Sequence, residues 1–174
     1  MAITYFNLGT VTVTSTSGAD TIAFTSIPAT YTDLVFQCSL RVVNGGASDG
    51  EFPRITFNSE TSGTAITAYI GADGTTVYGG NKSSGEYAYT IDSGVTPSNA
   101  FAVSNFYIMD YTNTSIAKGF LIDSAYTGSF SWPSSTAGFW NSTAAITSVT
   151  FNKPFSTSSF TQFSCITLYG IQKA

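Results

Sequence analysis

Thr25-Ser-Ile-Pro-Ala-Thr-Tyr-Thr-Asp33 followed by Leu34-Val-Phe-Gln-Cys-Ser-Leu-Arg-Val-Val43 decides the fold class of this 174-residue chain. The first half has the composition of a turn. In the second half Leu34, Phe36, Cys38, Leu40 and Val42 alternate with Gln37, Ser39 and Arg41. Successive side chains of a strand point to opposite faces, so this pattern predicts a strand with one face on a core. A helix would scatter the same apolar set around its circumference. Gln37, Ser39 and Arg41 are accordingly expected on the outward face.

The rest of the chain repeats this punctuation. Phe101–Asp110 reads as a second strong strand, with a break of parity at Ser104 that suggests a bulge or burial on both faces. Ile3–Thr14 is Thr-rich and extended, with Gly9 as a bend. Asp73-Gly74, between Ala65–Ile70 and Thr76–Tyr78, is a hairpin signal. Asn44–Glu51, Gly79–Gly85 and Pro133–Thr136 read as loops, Gly138–Asn141 and Ala145–Phe151 as paired strands, and Phe160–Ile171 as the closing strand. No segment holds a 3.6-residue period over three turns. Ten to twelve strands at roughly ten-residue spacing predict an all-β fold, a two-sheet sandwich of jelly-roll-like arrangement. The length suits a single β-sandwich domain over residues 1–174.

Composition agrees. Ser and Thr make up about three residues in ten, aromatics 15%, and charged residues only 9%. Hydroxyls and amides must therefore cover most of the surface, which suits docking on a partner, since they are cheaper to desolvate than charges, and equally suits sugar binding. Six Lys plus Arg, spread singly, give no footprint for nucleic acid. No apolar run approaches a membrane span, and the N-terminus lacks the charged and apolar regions of a cleaved signal, so synthesis and retention in a cytoplasm are expected.

Histidine is absent, which removes Ser-His-Asp and Cys-His catalysis. The remaining enzymatic option is a carboxylate pair, with Asp110 and Asp123 flanking the 111–119 connection as the pair to test. Turn geometry explains both without catalysis. No catalytic, cofactor-binding or metal residue is assigned, and no cofactor is expected. Cys38 and Cys165 lie in apolar strands and read as buried thiols, with a disulfide between them left open. Among the aromatics near loops (Tyr78, Tyr87, Tyr126, Trp132, Phe139 and Trp140), Trp132 before Pro133 is the foremost candidate for an exposed ring.

Four stretches together resemble a family of small virion structural proteins of tailed, chiefly aquatic, bacteriophages. They are Thr25–Phe36 with its Ile-Pro-x-x-Tyr-x-x-Leu pattern, Ser98–Phe101 leading to Asp110-Tyr-Thr-Asn-Thr114, Gly138-Phe-Trp140 with Ser142–Ile146, and the ending Thr167–Ala174 with its Leu-Tyr-Gly-Ile strand. The resemblance implies a non-enzymatic virion component, made in the host cytoplasm, whose partners are capsid or other virion proteins. It also implies a homo-oligomer, with a trimer favoured. The first expectation is a capsid decoration (cement or knob) protein on the outer shell. The alternative is a tail-fibre or receptor-binding module recognising surface glycan. Ile3–Thr14 and the loops Asn44–Glu51 and Gly79–Gly85 are the expected attachment surfaces.

Overall fold

A computed structural model describes residues 3–43, 53–60, 65–82, 91–92, 99–127, 131–154 and 156–173. Thirteen strands appear among them: β1 Ile3–Thr12, β2 Thr21–Phe24, β3 Asp33–Val43, β4 Arg54–Phe57, β5 Ala65–Ala72, β6 Val77–Lys82, β7 Ile91–Asp92, β8 Ala102–Ile108, β9 Lys118–Thr127, β10 Ser131–Trp140, β11 Val149–Asn152, β12 Ser159–Phe160 and β13 Cys165–Lys173. They form two sheets. The large one runs β1-β13-β3-β8-β9-β10-β5-β6, with β12 and β7 attached to β3. The small one runs β2-β11-β4. From β1 to β5 the chain alternates between the sheets, which gives the two-sheet sandwich its jelly-roll-like path. All pairings are antiparallel except the short β3–β7 contact.

The organising strand is where its alternation puts it. Leu34, Phe36, Leu40 and Val42 are fully buried and Cys38 nearly so. They face Ile22, Phe24, Ile55, Phe57, Val149 and Phe151 of the small sheet in one cluster. Phe36 is the keystone. Its ring lies 5.5 Å from Phe24 and 5.4 Å from Phe151 across the sandwich, and 5.6 Å from Phe106 within its own sheet. Offset and edge-on rings at these spacings add to the burial term.

Several expectations are corrected. Arg41 is 3% exposed, not on an open face. The segment after β12 folds over it: Thr161 N–H and Ser164 Oγ–H donate to its carbonyl at 2.9 and 3.0 Å, and its guanidinium donates to the Ala100 carbonyl at 3.0 Å. β8 alternates cleanly, with Ser104 facing inward and no register shift, so the parity break is neither a bulge nor burial on both faces. The shift at Gly9 is real and falls between Asn7 and Gly9. Pro133–Thr136 is part of β10, not a loop. Proline is tolerated because the β5 partners begin only at Ser134, so Pro133 sits at a local edge. Gly79–Lys82 is strand, paired to β5; 83–85 and 44–51 lie outside the described residues.

Gly138–Asn141 and Ala145–Phe151 do not pair with each other. Val149–Asn152 instead forms the centre of the small sheet. The approach to it is held irregular by Asn58, whose amide donates to the Ala145 carbonyl at 2.7 Å and accepts from the Thr147 and Ser148 N–H groups. The Asp73-Gly74 hairpin forms as expected, joining β5 and β6 with Gly74 at φ +88°.

Candidate functional site

At one end of the sandwich the Thr25–Phe36, Asp110–Thr114, Ser142–Ile146 and Leu168–Ile171 stretches meet and build scaffold, whereas Asn99–Phe101 lies at the other end of β8, beside Arg41. The Tyr111 hydroxyl donates to the Pro28 carbonyl. The Ile146 N–H donates to the Tyr111 carbonyl at 2.9 Å, and the Ile27 N–H to that of Thr147 at 2.9 Å. Thr32 donates through both its N–H and its hydroxyl to the Ile171 carbonyl. Lys118 belongs to the same end. It is fully buried, and its ammonium donates to the carbonyls of Asn113, Ile116 (2.8 Å) and Thr143 (3.1 Å). An ammonium has three N–H donors, so all three are used. Burial pulls its pKa below the ordinary lysine value. Asp33, also buried, accepts from the Tyr107 hydroxyl and from the Asp110 N–H at 3.0 Å. Burial first, then this carboxylate, holds the Tyr107 phenol well above its ordinary pKa.

Asp110 and Asp123 are not brought together. Asp123 stands opposite Asn105, and Asp110 lies five residues further along. That is roughly 16 Å at ~3.3 Å per residue, beyond the ~9.5 Å limit of a glycosidase pair. Asp123 instead accepts from the Ser135 hydroxyl at 2.8 Å. The cysteines are separated too. Cys38 is opposite Ile166 on the inner face, whereas Cys165 is opposite Ser39 on the outer one. Neither forms a disulfide. Burial first, and then the neighbouring Cys165, push the Cys38 thiol far up. Trp140 is buried and donates its indole N–H to Glu60 at 2.7 Å. Tyr87 and the side chains of Tyr126 and Trp132 lie outside the described residues.

What the register does assemble is the outer face of the large sheet. Thr10, Thr167, Gln37, Asn105, Asp123 and Ser135 stand opposite one another on six successive strands. They form one polar row about 24 Å long at ~4.8 Å per strand. Two of its links are hydrogen bonds, Thr10 to Thr167 at 2.9 Å and Ser135 to Asp123. Apolar rows flank it. Val103, Ala125 and Pro133 lie on one side, Val35, Tyr107, Leu121 and Ala137 on the other, with the Tyr107 phenol as the one polar group among them, and Ile70 continues the row itself. Val103, Leu121, Ile70, Phe139 and Val77 are 39% to 68% exposed.

Two shallow depressions, of about 370 and 460 Å³, share Asp123 in their walls. The first includes Gln37, Val103 and Asn105, the second Ile70, Val77 and Pro133. Val103, Leu121 and Phe139 lie on three different strands, β8, β9 and β10. Only the register reveals that they share an uncovered face.

Among the described residues no group of three or more His, Cys, Asp or Glu could hold a metal ion. No protein-family model matches this chain, and neither a curated protein nor a solved structure shows significant similarity to it.

Proposed function

We propose that this chain is a non-enzymatic virion structural protein that decorates the outer shell of a bacteriophage capsid, docking through the outer face of its large sheet. The observation that carries the docking surface is the exposed set Val103, Leu121, Ile70, Phe139 and Val77 around a polar row. Several large apolar side chains exposed on one sheet face mark a candidate interaction site. Asp123 is the sole exposed charge in the rows described, so covering the face desolvates few charges. The virion setting itself rests on the sequence resemblance.

Copy number per virion tests this reading. Hundreds of copies located on the head are expected; a few copies on the tail and none on the head would overturn it. A Leu121→Lys, Ile70→Lys variant is expected to fold with an unchanged melting point, since exposed substitutions usually shift stability by about 0.5 kcal/mol or less. It is expected to be lost from particles.

The polar row favours a second reading, a receptor-binding module for surface glycan, because aligned amide, carboxylate and hydroxyl groups beside aliphatic rows suit sugar hydroxyls and C–H faces. Under that reading Asn105→Ala abolishes binding on a glycan array. An array without hits for the unaltered protein removes it.

A further inference from the structure

β1 forms one edge of the large sheet, bonded to β13 on one side only. Its ten residues span about 33 Å and present a row of main-chain N–H and C=O groups that has no strand partner on the other side among the described residues. Edges of this length are ordinarily blunted by lysine, proline or an inward-pointing charge. Ile3–Thr12 contains no charged residue and no proline. Its aromatics are also open. Tyr5, on the outer face, meets Tyr169 edge-on at 6.2 Å yet remains 56% exposed. Phe6, on the opposite face, packs on Tyr31 at 5.4 Å yet remains 40% exposed.

We infer that a second copy of this chain pairs antiparallel along β1 across a two-fold axis, joining the two large sheets edge to edge. The bulge supports this partner. It switches the facing of the strand at Leu8, so that Tyr5, Asn7, Thr10 and Thr12 all lie on the outer face. A two-fold axis between Leu8 and Gly9 then sets Asn7 against Thr10 and Tyr5 against Thr12 of the second copy. Phe6 meets Val11 on the other face. Every pair matches outer with outer or inner with inner, and no like charges meet.

The opposite edge does not offer the same fit, since β6 has six residues and contains Gly79-Gly80. Pairing β1 with β6 would also propagate into a filament, whereas β1 with β1 closes. The inference does not depend on the virion reading, and a two-fold pair replaces the trimer that the resemblance implies.

Sedimentation equilibrium on the full chain tests it. A dimer is expected across the micromolar range. Asn7→Lys, Thr10→Lys, which sets four ammonium groups about the axis, is expected to give a folded monomer, whereas Leu121→Lys stays dimeric. A monomeric or trimeric unaltered protein, or a dimer that survives the two lysines, overturns the inference. Should the lysines unfold β1, hydrogen exchange on the unaltered chain decides. Protection of the Thr4–Thr12 amides that rises with protein concentration is expected, and protection independent of concentration overturns it.

Discussion

The ring of Tyr31 lies directly over the α-carbon of Gly170. A β-carbon built there would stand 2.4 Å from Cγ and 2.5 Å from Cδ2 of that ring. Tyr31 belongs to the Ile-Pro-x-x-Tyr-x-x-Leu stretch and Gly170 to the terminal Leu-Tyr-Gly-Ile, and Leu34 pairs with Gly170 in register. Tyr31 and Gly170, 139 positions apart in the chain, thus make two motifs halves of one contact. Gly170→Ala is expected to destabilise the fold by about 1–3 kcal/mol through overpacking. Adding Tyr31→Ala should make Gly170→Ala nearly neutral in that background, although Tyr31→Ala carries its own cost. Chemical denaturation of the four proteins of this cycle measures the coupling. Independent, additive effects would contradict the contact.

Phe36 links three strands of two sheets through Phe24, Phe106 and Phe151. Its removal leaves a void that neither sheet can close alone. Phe36→Ala is expected to cost about 3–5 kcal/mol in urea unfolding. An unchanged midpoint would mean that this side of β3 does not face the core.

Much of this was legible from Leu34–Val42, because alternation is a property of one strand and needs no knowledge of its neighbours. Arg41 was not legible for the complementary reason. Periodicity assigns a residue to a face, but what covers that face comes from Thr161 and Ser164, more than 100 positions later. Pro133 misled in the same way, since its cost in a strand depends on whether a partner is present on its N–H side. The outer face was the least legible feature. Gln37, Asn105, Asp123 and Ser135 are far apart in sequence, and a slip of one residue in any pairing would dissolve the row.

Lys118 illustrates a charge with a purely structural use. Its three carbonyl acceptors tie the 113–116 turn to Thr143. Lys118→Met keeps the length and apolar stem but leaves these carbonyls without their donor. A loss of about 2–4 kcal/mol is expected in thermal or chemical unfolding. Solvent-exposed lysines such as the one usually expected at a strand start change stability by far less. A neutral Lys118→Met would show that water replaces the ammonium at no cost.

Asp73 gives the β5–β6 hairpin a pH dependence. Its carboxylate accepts from the Thr75 N–H and hydroxyl at 2.9 and 2.8 Å, the Thr76 N–H at 2.8 Å and the Tyr78 hydroxyl at 2.9 Å. These bonds, led by the Thr75 N–H, hold its pKa well below the usual aspartate range. A depressed carboxylate adds stability above its unfolded value of about 3.9 and loses it as pH falls through the lower folded value. The turn should therefore persist at pH 4 and loosen only in stronger acid. Carbon-13 NMR titration of the Asp73 carboxyl reads this directly, and a midpoint near 3.9 would contradict the bonding pattern. Asp73→Asn should remove the acid dependence of the β6 amide shifts.

The two thiols should differ in chemistry because the sheet lies between them. Cys38 is buried on the core face, with its thiol within 3.9 Å of the Phe36 carbonyl, and burial raises its pKa. Cys165 is partly exposed on the other face. The thiolate is the reactive form, so a maleimide at neutral pH should label Cys165 first, and Cys38 only when the protein unfolds. Mass spectrometry of the oxidised, undenatured protein should find no 38–165 disulfide. If that bond forms without unfolding, the two side chains share a face and the β3–β13 register is wrong by one residue.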